Sequence, residues 1–167
     1  MSNRVNHPEY YKKKNGIETI EVIRHYVCDI ANAVKYIMRA GVKPEQGMTA
    51  EEKEIEDLHK AEWYIKDFRQ ALRGENGCKF TIHEVTDRKY VRYMAEATGH
   101  WLQEISTGYE WGVEIALQCV LCTGLIYKGK VYTIHSGDAL LENALKLIQQ
   151  RILDLESGEV KSCEFRD

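Results

Sequence analysis

The sequence has little that would mark it for export, for a membrane or for a disulfide scaffold. Its five cysteines, Cys28, Cys78, Cys119, Cys122 and Cys163, fall at irregular spacing, and the opening "MSNRVNHPEYYKKKNG" holds no apolar leader. That combination predicts reduced thiols in a cytoplasm. Long hydrophobic runs are missing as well. The longest, "WGVEIALQCVLCTGLIY", carries Glu114 and Gln118 and is too short and too polar to span a bilayer. Nor is one sign of charge in excess. With 23 Lys+Arg against 26 Asp+Glu, a net charge of −3 and a pI of about 6.1, the chain suits neither duplex nucleic acid nor a membrane surface. No Gly-x-x-x-x-Gly-Lys-Ser/Thr loop exists, which excludes a P-loop enzyme. The Cys119-x-x-Cys122 pair has no second pair to complete a zinc site, since only His100, His135 and Cys163 are candidates. It reads as two small hydrophobes, and no residue is assigned to a metal. No internal repeat is present.

What is there suits a packed protein. Hydrophobic residues make up 44% and charged residues 29% of 167, enough for one domain with a small appendage. The fold class expected is α+β, mainly α-helical. A bundle-like N-terminal unit spans 1–73, and a region at 78–167 holds a β-hairpin and a long amphipathic helix. "GENG" at 74–77 is the clearest break. In the first unit, "IETIEVIRHYV" predicts a helix with Ile17, Ile20, Ile23 and Val27 in register. A second helix is expected over 30–40, capped by Asp29 and ended by Gly41. Thr49 and Glu52 form a capping box for a third, over 50–73, with Ile55, Leu58, Ile65, Phe68 and Leu72 inward. Beyond the break, "CKFTIHEV" alternates like a short strand. Residues 87–105 predict a helix burying Tyr90, Met94, Trp101 and Ile105. "EWGVEIALQCVLCTGL" fits a buried helix or a strand equally. "GLIYKGKVYTI" reads as a hairpin around Lys128–Gly129. A last helix begins at Ser136 or Asp138 and ends at Gly158. Its apolar set of Leu140, Leu141, Leu145, Leu147, Ile148, Ile152, Leu153 and Leu155 covers more than one stripe, which predicts a homo-oligomer.

The polar residues of the first unit are less ordinary. Asn32, Lys35 and Arg39 share one face of the second helix, and Asp57, Lys60 and Tyr64 share one face of the third. The N-terminal arm adds His7, Tyr10, Tyr11 and three lysines. Antiparallel packing would line one cleft with all of these groups. Arginine grips phosphate oxygens as a fork and lysine as a point charge, so the cleft suits a phosphorylated small molecule. A tyrosine or Trp63 would stack on a base. A solvated salt-bridge network fits the same spacing.

The blocks "VNHPEYY", "GIETIEVI", "NAVKYIMRAG" and "IEDLHKAEWYI", in that order over residues 4–70, resemble a small domain family common in tailed-phage genomes. Some members are labelled nucleotide kinases acting on deoxynucleoside monophosphates. The resemblance implies His7, Tyr11, Glu18, Asn32, Lys35, Tyr36, Arg39, Asp57, Lys60 and Tyr64 as functional residues. It implies that Lys35 and Arg39 clamp phosphates, that His7 or Asp57 orients or deprotonates the acceptor, and that Glu18 positions a base or sugar. Mg²⁺ would enter with the nucleotide, held by Asp57 with Glu54 or Glu56. The alternatives are a protein that sequesters a nucleotide signal of host defence, and a structural or protein-binding phage accessory. In each case the setting is the host cytoplasm. If Arg39 meets a ligand, Arg39→Ala should change stability by no more than roughly 1 kcal/mol.

Overall fold

The structure, a computed structural model, describes residues 11, 15–43, 45–75 and 81–162. In chain order these form α1 (Thr19–Ile23), α2 (Cys28–Arg39), α3 (Ala50–Leu72), β1 (Ile82–Val85), α4 (Asp87–Thr98), α5 (Leu102–Ser106), α6 (Trp111–Leu121), β2 (Leu125–Tyr127), β3 (Lys130–Ile134) and α7 (Gly137–Ser157). The protein is α+β and mainly helical.

The long helices follow their local signals. Thr49 Oγ1 accepts from the Glu52 backbone N–H at 3.1 Å, and the Glu52 carboxylate accepts from the Thr49 N–H at 2.8 Å, which closes the capping box of α3. α2 buries Ile30, Ala33, Val34 and Ile37 on one face. It begins two residues earlier than expected. Val27 is its N-cap, and Asp29 lies in the first turn, where a negative charge complements the helix dipole. α1 is much shorter than the periodicity of residues 17–27 suggests. After Ile23 the chain turns into an extended edge: Tyr26 bridges Leu125, Ile126 N–H donates to His25 O at 2.7 Å, and Val27 N–H donates to Gly124 O at 2.9 Å. Those long-range bonds take the backbone a longer helix would have used, and Ile20 is left exposed.

The sheet order is β1-β3-β2, with β1 and β3 parallel and β2 and β3 antiparallel. The β2–β3 turn places both Lys128 (φ 47°) and Gly129 (φ 73°) in the left-handed region, the conformation two-residue hairpins favour. Gly124 is needed twice over. Its φ is +68°, and a Cβ there would lie 2.7 Å from Ile30 Cγ1 and 2.8 Å from Val27 Cγ2. The helix expected over 87–105 is broken at Gly99, also left-handed, so that Trp101 points outward and not inward. The ambiguous apolar run is helix α6.

α7 packs on α6 and on α3. Its apolar set is mostly absorbed within the chain: Leu141, Leu145, Ile148, Ile152 and Leu155 are buried, Leu140 and Leu147 half-buried, and Leu153 exposed. The buried core is one continuous cluster running from Ile17 to Leu155 across the break at 74–77. Among the described residues no helix is long and apolar enough to cross a membrane.

Candidate functional site

α2 and α3 pack side by side, and the periodicity of each brings its polar stripe to the common seam. On α2 the stripe is Asn32, Lys35 or Tyr36, and Arg39. On α3 it is Lys53, Asp57, Lys60 and Tyr64. Successive members lie three or four residues apart, so they stand one above another.

The centre of the seam is an ion pair. Arg39 Nη2 donates to Asp57 Oδ1 at 2.8 Å, and the two side chains are 8% and 0% exposed. The Arg39 guanidinium also lies 4.4 Å from the centroid of the Tyr36 ring and 3.4 Å from Tyr11 Oη. Burial works against the charge of Arg39, but the hydrogen bond and charge of Asp57 more than offset it and raise its pKa. Lys53, almost wholly buried, closes the far side at 3.5 Å from Asp57 and 2.7 Å from Glu45, and also bonds Glu56. Glu56 bridges Lys53 and Lys60, and hydrogen bonds from these two lysines hold its carboxyl down at about 2.

A second buried pair shows what a fully satisfied arrangement looks like here. Arg151 Nε donates to Glu54 Oε1 at 2.8 Å, Ser162 Oγ donates to Glu54 Oε2 at 2.7 Å, and Arg151 Nη2 donates to Lys161 O at 2.9 Å. In the Arg39–Asp57 pair, by contrast, Arg39 Nε and Asp57 Oδ2 are buried and find no partner among the described residues. A buried polar group left unmet costs about 1–3 kcal/mol, so the pair favours a further polar molecule beside it.

Lys35 differs from the other cations. Its Nζ donates to the neutral Asn32 Oδ1 at 2.6 Å, while Asn32 Nδ2 donates back to Cys28 O. Among the described residues no carboxylate forms an ion pair with it. It lies 4.5 Å from the Tyr36 centroid, and burial followed by the charge of Arg39 lowers its pKa. Tyr36 stacks on Tyr64 at 5.9 Å, and Trp63 meets Tyr64 edge-on at 4.9 Å with most of its indole exposed. Lys60 stands 5.7 Å from the Tyr36 centroid.

The seam thus brings together Tyr11, Asn32, Lys35, Tyr36, Arg39, Asp57, Lys60 and Tyr64. His7 lies outside the described residues. Glu18 is the N-cap of α1, where its backbone N–H donates to the Glu21 carboxylate at 2.8 Å; the contacts above do not include it. Asp57 is wholly interior and held between two cations. Glu54 is engaged with Arg151 and Ser162. Among the described residues no group of three or more His, Cys, Asp and Glu side chains is placed to hold a metal ion. Burial pushes the Cys122 thiol up to about 12, which makes it a poor nucleophile. Lys53 was not singled out by sequence reasoning, although its offset of four from Asp57 was a readable signal.

A separate cavity of about 320 Å³ lies between the end of α3, the sheet and the start of α7. Its charged walls pair among themselves, Arg73 with Asp138 at 2.8 Å and His135 with Glu84 at 3.3 Å, so it offers a ligand less than the seam does.

Residues 5–66 match the model of a family described as a protein of unknown function (DUF3310). The match takes in α1, α2 and α3 as far as Lys66, and with them the whole seam from Tyr11 to Tyr64; residues 67–167 lie outside it. It bears out the expected similarity to a small family over residues 4–70, and its description carries no activity. No curated protein and no solved structure matches the chain.

Proposed function

We propose that the α2–α3 seam binds a nucleotide and that the chain transfers a phosphoryl group to a (deoxy)nucleoside monophosphate, as the resemblance of residues 4–70 to a phage family with members labelled nucleotide kinases implies. The observation that carries the binding is Lys35, a partly buried cation with a neutral hydrogen-bond partner, set beside an aromatic stack and an ion pair with two polar atoms unmet among the described residues. A phosphate oxygen accepts from Lys35 Nζ, and Lys60 reaches the same anion by turning from Glu56. Arg39 and Asp57 act as positioning residues, fixing Tyr36 and the local field.

The closed position of Asp57 agrees with this reaction. A nucleoside monophosphate has its second pKa near 6, so its attacking oxygen is already largely unprotonated and needs no general base. The terminal phosphorus–oxygen bond of a nucleoside triphosphate breaks as the new one forms, which leaves two nucleoside diphosphates. Catalysis of such a step is mostly positioning and charge stabilisation. Mg²⁺ would arrive on the donor's phosphates. Asp57 and Glu56 are engaged by cations, and no group of three or more acidic, His or Cys side chains among the described residues forms a protein cage for it.

A second reading is sequestration of a nucleotide signal without turnover. It is favoured by the closed position of Asp57, which is wholly buried between Arg39 and Lys53 and cannot reach a ligand as a base. Calorimetry against the deoxynucleoside monophosphates, followed by an assay for diphosphate with a triphosphate and Mg²⁺, separates the two. Binding with product supports transfer, binding without product supports sequestration, and no heat with any nucleotide removes the reading in favour of an accessory protein. Self-association is proposed to use the exposed Leu153 of α7. Light scattering should then give a mass above 19.4 kDa that falls in Leu153→Glu.

A further inference from the structure

The α2–α3 seam is polar along its length. At one end Asp29, in the first turn of α2, faces Asp67 near the end of α3, and burial followed by the neighbouring carboxylate raises the pKa of Asp29. At the other end lie Lys35, Arg39, Lys53 and Lys60. The aromatic rings Tyr36, Tyr64 and Trp63 stand between. From Asp29 to Arg39 the axis of α2 rises roughly 15 Å, room for a nucleoside monophosphate laid lengthwise.

Trp63 is the member of this aromatic group that the core does not need. Its indole is 62% exposed, and its contact with Tyr64 is edge-on, which leaves a face open. On α3 it follows Lys60 by three residues and precedes Asp67 by four, so all three stand on one stripe, with the cation on one side of the ring and the carboxylate on the other.

We infer that Trp63 is the base-stacking residue of the seam, with the phosphate directed to Lys35 and Lys60 and the nucleoside directed to Asp29 and Asp67. This rests on the nucleotide reading above. Charge fixes the direction: the two carboxylates repel phosphate, and the lysines attract it. The carboxylates in turn accept hydrogen bonds from a base N–H or a sugar hydroxyl. Stacking on an indole face works for every base, so Trp63 supplies affinity more than base choice.

The test uses the full chain carrying Trp101→Phe and Trp111→Phe, which leaves Trp63 as the sole indole; both replaced residues are exposed. Fluorescence and calorimetry are followed together with dAMP and with deoxyribose 5-phosphate. The nucleotide should quench Trp63 emission, and the base-free phosphate should bind more weakly and leave emission unchanged. Trp63→Ala should weaken dAMP binding by roughly 5- to 150-fold, and Trp63→Phe should restore most of it. If dAMP binds by calorimetry while Trp63 emission and Trp63→Ala affinity stay unchanged, the base lies elsewhere: this inference falls and the phosphate reading stands. If neither ligand binds, both fall together.

Discussion

Lys35 and Arg39 stand one turn apart on the same stripe of α2, yet their surroundings give them different work. Spacing brings both to α3, but spacing says nothing of depth. Arg39 is nearest the Asp57 carboxylate and is closed in with it, whereas Lys35 donates to the Asn32 amide oxygen and, among the described residues, forms no ion pair with a carboxylate. The two predictions therefore diverge. Lys35→Ala should lower nucleotide affinity about 10- to 150-fold, as expected for losing a charge-assisted contact of about 1.5–3 kcal/mol, and should change stability by about 0.5 kcal/mol or less. Arg39→Ala leaves the buried Asp57 with Lys53 alone, at 3.5 Å, and should cost up to about 3–5 kcal/mol of stability. The sequence left two outcomes for Arg39→Ala, a small change if it meets only a ligand and about 3–5 kcal/mol if it belongs to a buried pair, and the geometry selects the second. Replacing both partners, Arg39→Met with Asp57→Leu, should be milder than Arg39→Ala alone, because no orphan charge remains. Urea melts and calorimetry on the same variants decide. An Arg39→Ala chain that melts like wild type would show that the pair is not structural.

At the scale of elements, the junction of α3 with α7 is set by charge at the rim and by a tight contact beneath. Arg69 and Arg73 both bond Asp138, and the hydrogen bond from Arg69, acting against burial, leads in lowering the Asp138 pKa from 3.8 to about 2. A carboxyl depressed in the folded state contributes stability above its unfolded pKa and loses it as pH falls through the folded one. The thermal midpoint should therefore drop as pH falls from about 4 to about 2, and less steeply in Asp138→Asn. Asp138 is well exposed, so solvent screening keeps this effect modest. Beneath it, a Cβ on Gly137 would come within 2.4 Å of Thr133 Oγ1. Gly137→Ala should cost about 1–3 kcal/mol, and Thr133→Ala should recover most of the loss by removing the colliding oxygen. Elements whose signals are local were legible in the sequence: α3 with its capping box, the Lys128–Gly129 hairpin, and α7 up to Gly158. α1 was not, because residues 25–27 are recruited by β2, which lies about a hundred residues away along the chain. The break at Gly99 was visible as a glycine inside an apolar pattern, but only its left-handed backbone turns it into a helix end. The seam was legible in the same measure. Offsets of three and four revealed its stripes, while the depth of Arg39, Asp57 and Lys53 depends on tertiary packing.

For the whole molecule, the division at 74–77 is a boundary of sequence character more than of packing. The family match stops at residue 66, but the faces that α2 and α3 bury are covered by later elements. Phe68, wholly buried on α3, lies 3.2 Å from where a Cβ on Gly124 would sit, and the Gly124 carbonyl accepts from the Val27 N–H. Tyr26 Oη donates to the Leu121 carbonyl at 3.0 Å, and Glu54 has its buried partner Arg151 on α7. Cutting the chain at residue 73 would expose these apolar faces and remove Arg151 and Ser162, which hold the Glu54 carboxylate. A fragment of residues 1–73 should therefore be partly helical by circular dichroism but melt without a cooperative transition, while the full chain should unfold in one transition seen alike by tryptophan fluorescence and by circular dichroism. Adding a separately produced 78–167 fragment should restore the cooperative melt, because the missing partners of Phe68, Tyr26 and Glu54 all lie on it. A 1–73 fragment that melts sharply by itself would make the N-terminal region a true domain, and the later elements would then be an attachment to the seam and not part of what holds it together.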